Sequence, residues 1–245
     1  MTKLKGIKSS LSKLAYNAGY HVVPRWQMRA YPFVKHLKEL FASRQIDCVL
    51  DVGGNKGQYA QFLREEVGYR GHIISFEPID YNFAVLQERS KGDPKWDCAR
   101  MALGASEGSL TLNVMAEDSF SSFLQPLDDQ PFAQNKVASA QDVAVHRLDT
   151  WLAAQDLPFR RIYLKLDTQG FDLEVFKGAS GVLDRIVAMQ SELAFSAIYK
   201  QMPTFDEVLP VYMQSGFRVS NMFAVSIENF AAVEFDCILV RADRD

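Results

Sequence analysis

The chain has 245 residues, 48% hydrophobic and 23% charged, with 14 glycines and 9 prolines, a composition that supports one large core and excludes a disordered or collagen-like chain. Cys48, Cys98 and Cys237 lie far apart in apolar, strand-like contexts, which excludes a disulfide framework or a zinc knuckle and fits buried thiols in a reducing compartment. The formal net charge of −3 divides unevenly: residues 1–45 carry nine Lys/Arg against the single acid Glu39, a balance of +8, and the remainder carries −11.

Residues 1–45 are read as a basic helical extension, in which Leu4, Ile7, Leu11 and Leu14 recur at helical spacing among Lys3, Lys5, Lys8 and Lys13. Three roles are open to it: packing on the domain, capping a substrate, or contacting an anionic membrane surface. No apolar run approaches the roughly 20 residues needed to span a bilayer, and no secretory signal is visible, so a cytoplasmic protein is expected.

A helix over residues 29–43 leads into a single domain, residues 46–245. Strands are expected at 48–52, 72–76, 97–103, 162–166, 188–193, 217–221 and 235–240. Helices are expected at 57–66, 81–89, from 173, and at 205–215. Extended runs at 110–115 and 143–147, joined by a long loop over 117–141, look like an insertion. Long loops of this kind often serve as lids or binding loops. The alternation of strand and helix predicts an α/β fold with a Rossmann-like, doubly wound, mostly parallel seven-stranded sheet and helices on both faces.

The stretch Val49-Leu50-Asp51-Val52-Gly53-Gly54-Asn55-Lys56-Gly57-Gln58-Tyr59 runs from a buried strand through a glycine turn into a helix, the place where an adenosine-containing cofactor binds at the carboxyl edge of such a sheet. Gly53 and Gly54 let the backbone approach a ligand, Gly57 lets the helix start tight, and Asp51 can hold the turn and lie near an ammonium. The helix N-terminus suits a carboxylate. Dinucleotide enzymes need glycine at 55 and 58, where this chain has Asn55 and Gln58. The turn therefore fits adenosine carrying an amino acid better than a pyrophosphate. Glu77, at the tip of Ile74-Ser75-Phe76-Glu77-Pro78, is the expected acceptor of both ribose hydroxyls. Ala102 and Leu103, in Arg100-Met101-Ala102-Leu103-Gly104, could line an adenine face, and ordinary core packing is the competing role.

These residues resemble the FkbM family of methyltransferases over about residues 46–239. The resemblance rests on Asp51 to Gly57, on Phe76-Glu77-Pro78 followed by Asn82, on Leu148-Asp149, on Leu164-Lys165-Leu166-Asp167-Thr168-Gln169-Gly170-Phe171-Asp172, on Ser191-Glu192-Leu193 with Tyr199, and on Ser215-Gly216-Phe217. It implies a class I methyltransferase fold, S-adenosyl-L-methionine as donor with S-adenosyl-L-homocysteine as product, and a hydroxyl acceptor on a sugar, glycolipid or secondary metabolite. The cofactor residues it implies, joined to those read above, are Asp51, Gly53, Gly54, Asn55, Gly57, Tyr59, Glu77, Pro78, Asn82, Ala102 and Leu103. Many members carry Glu-Gly and a later Glu where this chain has Gln169-Gly170 and Asp172, so a role that needs charge at 169 does not transfer. The first 45 residues lie outside the resemblance.

An aliphatic hydroxyl needs its proton removed during attack, and the tip of the fourth strand, Lys165-Leu166-Asp167, is where a base belongs. Lys165 and Asp167 share one face of that strand, so an ion pair between them competes with a catalytic role. Glu192 ends the next strand. Asp167, Glu192 and Lys165 are thus the candidate catalytic residues. No metal is expected, and magnesium held by Asp167 and Glu192 is the alternative. Asn55, Gln169 and Tyr199 are candidate positioning groups. A nucleotide-dependent oxidoreductase and a non-catalytic membrane-surface adaptor are the competing functions. A nucleic-acid substrate is disfavoured by the acidic body and the lack of an Asn-Pro-Pro-Tyr or Asp-Pro-Pro-Tyr element. Self-association is left open.

Overall fold

The computed structural model describes residues 15, 17–20, 28, 30–128, 136–155 and 157–242. The basic stretch holding Leu4, Ile7, Leu11 and Leu14 lies outside them.

The first long helix, α1 (Tyr31–Ser43), precedes β1 (Cys48–Val52), α2 (Gln58–Phe62) with a π-helical turn over Leu63–Val67, β2 (His72–Phe76), α3 (Asp80–Ser90) and β3 (Trp96–Ala99). The chain then crosses β4 (Ala102–Leu103), β5 (Gly108–Met115) and β6 (Val137–His146). It returns through α4 (Leu148–Gln155), β7 (Ile162–Leu166), α5 (Asp172–Gly178), β8 (Ile186–Ala194), α6 (Phe205–Gln214), β9 (Phe217–Glu228) and β10 (Ala231–Arg241). The main sheet runs β3-β2-β1-β7-β8-β10-β9, and β4-β6-β5 form a small second sheet. In the main sheet β10 alone runs against its neighbours β8 and β9, while β3, β2, β1, β7 and β8 pair in parallel. The expected mostly parallel seven-stranded α/β architecture is the observed one.

Strand alternation divides the core. Cys48, Leu50, Val52, Ile162, Leu164 and Leu166 pack on one face with Leu148, Val175, Phe176, Val208 and Tyr212 from α4, α5 and α6. Val49, Ile73 and Tyr163 face the other way, against Leu37, Leu40 and Phe41 of α1 and Leu63 beyond α2. The burial of a full face of α1 makes it part of this core. Every residue of β1 is buried, the pattern of a central parallel strand covered on both sides.

Two expectations change. The strand predicted over 97–103 is two strands: β3 ends at Ala99, the Met101 N–H turns back to the Ala99 carbonyl at 3.2 Å, and Ala102–Leu103 pairs with β6 in the second sheet. A run of extended residues in sequence does not reveal that its two halves join different sheets. The long loop expected over 117–141 contains a 3-10 turn at Asp118–Phe120, and its last residues, from Val137, belong to β6. Among the described residues no helix is long and apolar enough to cross a membrane.

Candidate active site

The carboxyl-terminal tips of the strands open into a cavity of about 470 Å³. It is shaped first by the turn after β1. Gly53 has φ 79, and a Cβ on it would stand 1.9 Å from the Asp167 carbonyl oxygen, so only glycine lets the β1 turn pass the tip of β7. The Gly53 and Gly54 N–H groups both donate to the Phe76 carbonyl, at 3.1 and 2.9 Å, which fastens the turn to β2. Asn55 follows at φ 45, a left-handed conformation that asparagine tolerates better than most residues, and its N–H donates to Glu77 Oε2 at 2.8 Å.

Glu77 is 4% exposed. Its Oε1 accepts the Ile79 N–H at 2.8 Å. Burial pushes its carboxyl up to about 7, against the pull of those two N–H donors. Each carboxylate oxygen keeps acceptor capacity beyond these single bonds, and the side chain lines the cavity beside Pro78, Ile79 and Asn82. Asn82 is 1% exposed, and neither its amide nitrogen nor its oxygen has a hydrogen-bond partner among the described residues. A buried amide left unpaired costs about 1–3 kcal/mol per group, so this orphan facing the cavity suits a polar ligand. Met101, Ala102, Leu103, Leu112 and Phe123 supply an apolar wall next to it.

Asp51 and Gly57 take other places. Asp51 is fully buried and outside the cavity lining, directly opposite Lys165 in the β1–β7 register and Ser75 in the β1–β2 register. Ser75 Oγ donates to its Oδ2 at 2.9 Å, and Lys165 Nζ lies 3.3 Å from its Oδ1. Gly57, at φ 88, lies against the Trp96 ring, where a Cβ would come within 2.8 Å. It serves the packing of α2 on β3. Tyr59 lines the cavity but gives its hydroxyl to Gln190 Oε1 at 2.7 Å.

At the other end of the cavity, Lys165 Nζ bridges Asp51 and Asp167 Oδ2, the latter at 3.0 Å. Burial opposes the Lys165 charge, yet the two carboxylates hold its ammonium above the ordinary range. Asp167 keeps 43% of its side chain exposed. Gln169, left-handed at φ 51, directs Nε2 to Asp167 Oδ1 (3.3 Å) and Glu192 Oε2 (3.1 Å). Its Oε1 lies 3.1 Å from the Tyr199 hydroxyl, and the two carboxylate oxygens facing Nε2 set the orientation of the amide. Burial, then repulsion from Asp167, Glu234 and Asp236, raises the Glu192 carboxyl well above the usual range. Burial likewise lifts Glu234 to about 7 and Asp236 to about 6, the latter held down in part by the Gln190 amide.

The suggested magnesium pair does not suit a cation as it stands. A donor amide faces both carboxylates, and among the described residues no group of three or more His, Cys, Asp or Glu is arranged as a metal site.

The cavity thus brings together Gly53, Gly54, Asn55, Tyr59, Glu77, Pro78, Asn82, Ala102, Leu103, Lys165, Asp167 and Glu192. Sequence reasoning missed Phe33 of α1, Asp118 and Phe123 of the insertion, Gln190 of β8, Val225 of β9 and Asp236 of β10. Gln190 and Asp236 carried a usable signal, being polar residues within mostly apolar strands. Phe33 and Val225 carried none, because only the tertiary fold brings them to the rim.

A family model described as a methyltransferase FkbM domain matches residues 51–219. No curated protein matches the chain. Among solved structures the chain is similar to an rRNA methylase from Streptococcus thermophilus, at 11% identity and a TM-score of 0.48 over 91% of this chain and 99% of that one. It is similar to magnesium protoporphyrin IX methyltransferase from Synechocystis PCC 6803 with bound SAM, at 9% identity and 0.47 over 95% and 91%. Fibrillarin from Aeropyrum pernix in complex with S-adenosyl-L-methionine matches at 11% identity and 0.44 over 79% and 66%.

Proposed function

The chain belongs to the FkbM family of methyltransferases, the match covering residues 51–219, and on that premise we propose that it transfers the methyl group of S-adenosylmethionine to a hydroxyl oxygen of a sugar, glycolipid or other small metabolite. The observation that carries this reading is the pairing, in one cavity, of a buried acceptor for diol hydroxyls, Glu77, with a solvent-reaching carboxylate, Asp167, at the tip of β7.

The bound cofactor supplies a sulfonium methyl already activated for attack. Glu77 accepts the ribose hydroxyls, Asn82 satisfies its orphaned amide on the adenosine portion, and the Gly53–Gly54 turn lets the backbone close on the ligand. The apolar wall of Met101, Ala102 and Leu103 takes the base. Asp167 and Glu192 flank the position of the acceptor oxygen. Asp167 receives the hydroxyl proton, Lys165 anchors its carboxylate from below, and Gln169 fixes its rotation. Orientation in such a site contributes roughly 7–11 kcal/mol, and a placed base about 10²–10⁴-fold more.

Asp167→Asn keeps the shape and removes the base. Methyl transfer from labelled S-adenosylmethionine to a panel of hydroxylated acceptors should fall by about 10²–10⁴-fold, while calorimetric affinity for S-adenosylhomocysteine changes little. Equal losses in both would reassign Asp167 to cofactor binding.

A further inference from the structure

Strand register gathers three carboxylates on the side of the cavity away from Glu77. β7, β8 and β10 follow β1 in that order across the sheet, and Asp236 of β10 stands directly opposite Glu192 of β8. Glu234 lies two residues from Asp236 in an unbroken β8–β10 register, so all three side chains leave the same face of the sheet. Further down that face the same strands present Tyr163, Ala188 and Ile238 to the core under α1. Packing there takes apolar side chains, whereas the strand tips carry acids.

None of the three has an ion-pair partner among the described residues, because Lys165, the one cation among the described residues that line the cavity, is held between Asp51 and Asp167. Gln169 Nε2 reaches Glu192 Oε2 at 3.1 Å, and Gln190 Nε2 reaches Asp236 Oδ1 at 2.7 Å. The second oxygen of each carboxylate accepts no hydrogen bond among the described residues. Burial first, and neighbouring carboxylates after it, lift all three carboxyls, a condition that a bound cation relieves.

Glu234 is an independent sign of a ligand. It is 5% exposed, and its buried Oε1 has no hydrogen-bond partner among the described residues. Ser226, opposite it on β9, leaves a buried Oγ unpaired as well, so the two do not satisfy each other. Glu234 repels Glu192 and is repelled by Asp167 and Asp236, which turns its carboxylate toward the space that those residues line.

The chemistry of that space favours an organic cation. Magnesium needs oxygens drawn in to about 2.0–2.1 Å, and among the described residues the acids are not grouped for a metal. An ammonium brings three donors that reach carboxylate oxygens at about 2.7–2.9 Å, one for each free oxygen. The ammonium of the methyl donor is not the obvious occupant, since β10 lies three strand spacings, roughly 14 Å, from the β1 turn.

We propose that Glu192, Glu234 and Asp236 form a subsite for a primary ammonium, and that the acceptor is an amino sugar or amino alcohol anchored there with its hydroxyl at Asp167. The cation site stands on the geometry alone; that its ligand is the methyl acceptor rests on the transfer reading above. In the transfer the acceptor oxygen bonds to the methyl carbon as the methyl–sulfur bond breaks, and the hydroxyl proton passes to Asp167. The ammonium keeps its protons and has no lone pair with which to attack, so methylation falls on oxygen.

Calorimetric titration of the full chain, with and without saturating S-adenosylhomocysteine, tests this with glucosamine, ethanolamine and kanamycin, each against its N-acetylated form. At least one amine should bind at least about tenfold more tightly than its N-acetylated form. Glu234→Gln and, separately, Asp236→Asn should each remove that preference and leave affinity for S-adenosylhomocysteine unchanged. Equal binding of the paired forms, or no binding of any amine, would overturn the proposal. So would a loss of S-adenosylhomocysteine affinity in both variants, which would assign the carboxylates to the donor, or labelled methyl found on nitrogen. Amine binding that the variants remove, in a chain that takes up no S-adenosylhomocysteine, would support the subsite and remove the transfer reading instead.

Discussion

Glu77 shows how a residue can be singled out in sequence while its surroundings emerge only in the fold. Its position after β2 marked it as the ribose ligand. Its burial and its two backbone donors were not visible, because they depend on how the Asn55 turn and the Pro78–Ile79 segment close around it. Those details give a pH dependence. Burial lifts the folded carboxyl to about 7, so the ligand-free protein loses stability as pH rises from the unfolded value through 7, where the buried group must ionise. In the proposed binding mode ribose hydroxyls donate to the ionised form, so affinity for S-adenosylhomocysteine should rise between about pH 6 and 8 and then level off. Calorimetry across that range should show the slope in the wild type and a flat line in Glu77→Gln. A slope that survives the substitution assigns the titration to another group. Asp51 teaches the opposite lesson: a motif carboxylate expected beside the ligand instead sits behind the turn, paired with Lys165.

Among the elements, the segment between β5 and β6 departs furthest from what its sequence suggests. Its polar, proline-containing composition reads as a loop, yet its described part is tied down on both sides of the cavity. Lys56 pairs with Asp118, Ser122 Oγ donates to the Gln169 carbonyl at 2.6 Å, and the Tyr199 hydroxyl donates to the Phe120 carbonyl at 2.7 Å. These partners lie between 47 and 79 residues apart along the chain, beyond the reach of any local pattern. Tyr199 is 1% exposed, so Tyr199→Phe leaves the Phe120 carbonyl short of a buried donor at a cost of about 1–3 kcal/mol. Hydrogen exchange should then quicken over residues 118–124 while β1 and β7 keep their protection. Unchanged exchange there would mean that the hydroxyl does not hold the segment.

At the scale of the molecule, the order of strands and helices was legible because central parallel strands are apolar runs bounded by turns. Cys48–Val52, His72–Phe76 and Ile162–Leu166 coincide with the expected bounds. The reach of β9 and β10 was not, since the outer half of β9 is exposed or half-buried and the start of β10 mixes exposed with buried and polar with apolar residues, and strand direction leaves no mark on composition. The central claim is that the crevice at the tips of β1 and β2 takes adenosine joined to an amino acid. Calorimetric titration of S-adenosylhomocysteine and of NAD(P) into the wild type and Glu77→Ala tests it most directly. The account predicts saturable binding of S-adenosylhomocysteine, weakened by about 1–3 kcal/mol in the variant, and no heat from NAD(P). Binding of NAD(P), or silence with S-adenosylhomocysteine, would contradict it.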